Sequence, residues 1–105
     1  MDKPIINWPG KSGRIYTYYI YPIGSSFRAT GGNYIFAKET SPSHWSPVYV
    51  GQTVNLGERF DEHHKMFCIR QQGGTHIHVH LNDIESVRLG EESDLIEKWN
   101  PPCNG

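Results

Sequence analysis

The sequence predicts an α+β domain built on a small, mostly antiparallel β-sheet of about three to four strands flanked by helices. Three observations lead there. Short runs rich in β-branched and aromatic residues follow one another up to Gly51. Apolar spacing then lengthens from two to helical between Asn55 and about Gln71. Finally, the strictly alternating His76-Ile77-His78-Val79-His80-Leu81 precedes a second helical stretch. The order is β-β-β-α-β-α, and 105 residues suffice for one compact domain with a single modest core.

Residues 1–13, rich in Pro, Gly and Lys, read as an irregular lead-in. The run from Arg14 to Tyr21 predicts a strand that Pro22 ends, followed by a turn at Gly24-Ser25-Ser26. Asn33–Lys38 predicts a second strand, entered through Gly31-Gly32, and Thr40–Pro47 reads as a loop on composition. Val48–Gly51 returns as a third strand, antiparallel to the second. In the first helical stretch Leu56, Phe60 and Phe67 fall on one stripe, with Gly73-Gly74 as the stop. Asn82 with Glu85 three residues on predicts a capping box for a helix reaching about Trp99, which Asn100-Pro101-Pro102 ends.

A hydrophobic fraction of 36% with 12% aromatic residues fits a folded chain. The net charge of −1 with six histidines gives no global positive field, so binding to nucleic acid would need locally gathered charge. Lys38, Arg59, Lys65 and Arg70 are the candidates. No stretch approaches the roughly 20 apolar residues that span a bilayer, and Met1-Asp2-Lys3-Pro4 lacks the layout of a secretory signal. Cys68 and Cys103 form no close-spaced pair and read as two reduced thiols. The expectation is a cytoplasmic protein with no membrane partner.

Several groups point to chemistry. Tyr34 and Tyr49 each place a polar handle on a large ring within a strand-forming run. On a helix, Arg59 and His63 would sit one turn apart at the edge of the Leu56/Phe60/Phe67 stripe, where a cleft lip forms. Their bland alternative is a solvated charge and a boundary histidine. In the second helix Glu92, Leu95, Ile96 and Trp99 follow the i, i+3, i+4, i+7 pattern, so a carboxylate occupies an apolar position. It must be solvated, paired or metal-bound, and Arg88 offers an i, i+4 ion pair. Glu91 flanks the same stripe, and helical geometry alone does not choose between the two glutamates. His76, His78 and His80 share one strand face; a solvated or stacking face is the default expectation there and zinc ligation the alternative.

From Gly32 to Asn104 the chain resembles the GIY-YIG nuclease domain. Gly32-Asn33-Tyr34 stands for the first motif, with Asn33 at a position usually aliphatic, and Tyr49-Val50-Gly51 matches the second. Gln52–Arg59 matches the stretch leading to the family's arginine, and His63 falls where members carry His or Tyr. Glu92, followed by Pro101 and Asn104, matches the closing pattern and selects Glu92 over Glu91. The implied core is β-β-α-β-α over residues 32–105, with residues 1–31 an N-terminal extension that adds a strand.

The resemblance implies a metal-dependent endonuclease acting on nucleic acid, DNA ahead of RNA, with one divalent ion, Mg²⁺ or Mn²⁺. Its site would comprise Tyr34, Tyr49, Arg59, His63, Glu92 and Asn104. Glu92 would hold the ion, Arg59 would neutralise transition-state charge, and Tyr34 or His63 would take the proton from the attacking water. Tyr49 would orient water or phosphate; Asn104 would fix the second helix or touch substrate. A homodimer or a protein partner would supply targeting. The rival reading is a catalytically silent binding or adaptor module using the same cleft.

Overall fold

The structure is a computed structural model that describes residues 4–58 and 60–105. It is an α+β fold. Five antiparallel strands, β1 (Ile5–Pro9), β2 (Ile15–Pro22), β3 (Gly32–Ser41), β4 (His44–Thr53) and β5 (His76–Leu81), form one sheet in the order β1-β2-β5-β3-β4. Helix α1 (Met66–Gln71) and helix α2 (Glu85–Trp99) follow β4 and β5, with 3-10 turns at Phe60–Glu62 and Pro102–Asn104. Among the described residues, no helix is long and apolar enough to cross a membrane.

Period-two alternation divides the side chains between the two sheet faces. One face buries Tyr34, Phe36, Ile77 and Val79 against Leu56, Met66 and Ile69 from the α1 side. The other buries Trp8, Tyr18, Ile35 and Val50 against Leu95 of α2. After α2, Asn100 adopts a left-handed conformation (φ 44°) and its N–H caps Ile96 O, so the chain turns at Pro101. It then crosses the β4 edge and places Cys103 in the opposite core.

Five expectations are corrected. Residues 5–9 form strand β1 rather than an irregular lead-in, because Trp8 buries its ring and donates Nε1–H to His78 Nδ1 at 3.0 Å. The Thr40–Pro47 segment is no loop: β3 and β4 run on as a hairpin that turns at Pro42-Ser43, with Ser43 at φ 64°. Pro47 is accommodated on an edge strand beside the register shift at Phe36/Ala37.

Third, the helix expected over Asn55–Gln71 is reduced to a turn, a 3-10 segment and six residues of α1. Asn55 Oδ1 takes the Gly57 N–H at 2.8 Å, and His63 Nδ1 takes the Lys65 N–H at 3.1 Å, diverting backbone donors into local turns. Phe67 therefore does not join the stripe; it is 76% exposed, while Met66 and Ile69 fill the core. Fourth, Cys68 and Cys103 are joined by a disulfide, since α1 and the C-terminal turn bring their Cα atoms to 5.9 Å. Asn82 also departs from the expected capping box: its Oδ1 accepts the Ile84 N–H, and Ile84 holds the cap position.

Candidate active site

Tyr34 lies opposite Gly51, and Phe36 opposite Tyr49, so both tyrosines project from the α1 face of adjacent strands. Gly51 makes room: a Cβ there would stand 2.5 Å from Tyr34 Cζ. Gly32 is equally constrained, its notional Cβ falling 2.6 Å from Leu56 Cδ1 and 2.7 Å from the His80 carbonyl oxygen. The 3-10 segment brings Phe60 edge-on to Tyr34 (centroids 4.9 Å apart) and delivers His63 beyond it. Tyr34 Oη and His63 Nε2 are 2.7 Å apart. Because the Lys65 N–H donates to Nδ1, a neutral His63 carries its proton on Nε2 and donates it to Tyr34.

Electrostatics follow from burial. The Tyr34 phenol is pushed well above its ordinary value by burial, then by Tyr49 and the carboxylates of Glu92 and Glu58. Burial, followed by His64 and Lys65, drives His63 down to about 4, so the ring is neutral at pH 7. Tyr49 is raised by burial and by Glu92. Glu92 is itself raised by burial, partly offset by the Gln52 backbone N–H that its carboxylate accepts. The Glu92 charge is thus felt by both tyrosines. An open pocket of about 610 Å³ lies over the group, lined by Tyr34, Gln52, Thr53, Glu58, Phe60, Glu62, His63 and His64.

Of the expected site residues, Tyr34, Tyr49 and His63 meet directly, the Tyr49 and His63 rings 5.0 Å apart. Glu92 lies within electrostatic reach of both tyrosines. Arg59 falls outside the described residues. Asn104 is held on β4: its Oδ1 accepts the Val50 N–H at 2.8 Å and its Nδ2 donates to the Val50 carbonyl at 2.9 Å. Glu91, the alternative glutamate, faces the other way and is 3% exposed; it accepts the Tyr18 hydroxyl and contacts His80 Nδ1 at 2.9 Å.

Arg88 makes no i, i+4 pair its main contact. Its Nε donates to Gln52 Oε1 and its Nη1 to the Asn82 carbonyl, both at 3.0 Å. Asn33, in place of an aliphatic residue, is buried and donates Nδ2 to the Arg88 carbonyl at 2.9 Å, tying β3 to α2. The three strand histidines have separate partners: His76 meets Thr75, His78 accepts from Trp8, and His80 meets Glu91. Among the described residues, no three His, Cys, Asp or Glu side chains are grouped to hold a metal ion.

Gln52, Phe60 and His64 line the pocket but were not expected as site residues; Phe60 was placed only on the apolar stripe and Gln52 only in the stretch leading to Arg59. Adjacency was the available signal, since Gln52 follows Gly51 and His64 follows His63. No family model, curated protein or solved structure matches this chain.

Proposed function

We propose that this chain is a metal-dependent endonuclease of the GIY-YIG kind that hydrolyses phosphodiester bonds in DNA. The observation that carries the reading is the meeting of Tyr34, Tyr49 and a neutral His63, with Tyr34 and His63 lining one open pocket and the Glu92 carboxylate acting on both phenols. The element order from β3 onward, β-β-α-β-α, supports it too. So do the close approaches at Gly32 and Gly51, which give a steric reason for both motif glycines.

The donor set suits a hard cation. Glu92 offers a half-buried carboxylate and the tyrosines offer phenolic oxygens, whereas Mg²⁺ takes one or two carboxylates and fills its remaining positions with water and phosphate. Glu92 would hold such an ion, which when bound would supply Lewis-acid polarisation of the phosphate. The remaining work falls to the chain. Both His63 nitrogens are engaged, Nδ1 by the Lys65 N–H and Nε2 by Tyr34, so the free lone pair toward the pocket is on Tyr34 Oη. For Tyr34 to act as base its own hydroxyl proton must first pass to solvent; the phenolate, stabilised by the His63 Nε2–H hydrogen bond, then takes the proton of the attacking water. Tyr49 positions the water or a phosphate oxygen.

The test is nicking of supercoiled plasmid and branched DNA with Mg²⁺ or Mn²⁺, native chain against Glu92→Ala. Metal-dependent cleavage that the substitution abolishes is the expected result. Equal cleavage by both proteins would remove Glu92 from the site. Binding without cleavage by either would instead favour the silent module, a reading to which the net charge of −1 gives no affinity on its own.

A further inference from the structure

We propose that the exposed ring of Phe67 and the outer face of His64 form a stacking platform for unpaired nucleobases at the mouth of the Tyr34–His63 pocket. The substrate would then be DNA with unpaired nucleotides beside the cleaved bond. This rests on the nuclease reading and names its substrate class.

A continuous run of rings leads from the pocket floor to the surface. Tyr34 meets His63 edge-on at 5.7 Å, and His63 stacks on His64 at 4.5 Å with planes 22° apart. Tyr49 braces both histidines, at 5.0 Å and 6.3 Å. His64 is exposed, so one face is covered by His63 and the other is open. His64 stands in the turn that leads into α1, between the His63 N–H to Phe60 O and the Met66 N–H to His63 O hydrogen bonds. Phe67 follows three residues later on α1, outside the core that Met66 and Ile69 fill.

Phe67 is the largest exposed ring of this segment, 76% open to solvent while its helix neighbours fill the core. It follows the pocket-lining His64 by three residues in the chain. Every base has a π face, so such a ring stacks bases without regard to sequence. Paired bases have both faces occupied by their neighbours in the duplex; only unpaired ones can turn out onto a protein ring. Lys65 and Arg70, on the same segment, supply cations that would follow the strand's phosphates.

The experiment uses the full chain in EDTA, so that binding is read without cleavage. The probes are a single-stranded oligonucleotide carrying 2-aminopurine and a blunt duplex of the same sequence. The expected result is quenched 2-aminopurine fluorescence on binding, with Phe67→Ala and His64→Ala weakening single-strand affinity roughly 5- to 100-fold. Phe67→Trp should retain the quench, and duplex affinity should move by less than about twofold. Binding with no quench, or with affinity indifferent to both alanine substitutions, overturns the platform and leaves the nuclease reading standing. Failure to bind either probe overturns the nucleic-acid reading and the platform with it.

Discussion

Two adjacent glutamates on α2 have opposite fates. Glu91 is buried under the sheet, where the Tyr18 hydroxyl and His80 Nδ1 satisfy its carboxylate. Removing it strands both partners, so Glu91→Ala should cost about 3 kcal/mol in urea unfolding. Glu92 is half-buried, and burial disfavours its charge. Glu92→Gln should therefore leave stability unchanged within about 1 kcal/mol while abolishing cleavage. A large loss of stability in Glu92→Gln would make that residue structural. Periodicity placed a carboxylate on the stripe but left the choice between the two open. The deciding partners, Tyr18 and His80, lie on strands 73 and 11 residues away, and no helical pattern announces either contact.

At the scale of elements, strand β4 ends the sheet, and two side chains occupy its outer edge. Asn104 presents an amide that imitates a neighbouring strand at Val50, and Glu92 takes the Gln52 N–H. Asn104→Asp keeps the acceptor, loses the donor and sets a charge against the Val50 carbonyl. It should cost about 1–2 kcal/mol and speed hydrogen exchange of the Val50 amide; unchanged exchange would mean the edge needs no cap. The strands were the most legible part of the fold, since an aromatic, β-branched run marks β2 and strict alternation marks β5 closely. The β3–β4 hairpin was read too short because Pro42 and Pro47 look like breakers, yet one sits in the turn and the other beside a register shift. The first helix was read too long: its apolar spacing is real, but Asn55 and His63 side chains capture backbone donors that a helix would need. Strand β1 escaped notice because its anchor, the Trp8–His78 hydrogen bond, spans 70 residues.

At the scale of the whole molecule, two features tie distant parts together. The Cys68–Cys103 bond closes a loop of 35 residues' separation between α1 and the C-terminal turn. Its reduction should cost about 3–4 kcal/mol by loop entropy, seen as a lower midpoint in urea with dithiothreitol; an unchanged midpoint would mean the staple is dispensable. The same bond withdraws the reduced-thiol argument for a cytoplasmic setting. The second feature is a pair of neutral histidines, His63 half-buried before α1 and His78 buried on β5. Burial holds His63 at about 4 and His78 at about 3, against an ordinary 6.5. Below pH 6.5 the unfolded chain binds protons that these native rings refuse. Stability present above 6.5 is thus lost as pH falls toward 4 for His63 and toward 3 for His78. His80 has the opposite sign: raised chiefly by its hydrogen bond to Glu91, it stabilises below 6.5 and loses that contribution as pH rises through its elevated value. Two downward shifts against one upward shift place the stability maximum near neutrality. The melting temperature should fall by at least about 5 °C between pH 7 and pH 4.5, and His63→Gln should flatten part of that slope. A midpoint that stays level or rises on acidification would mean that His63 is charged in the folded chain, and with it would go the argument that Tyr34 rather than His63 accepts the water proton.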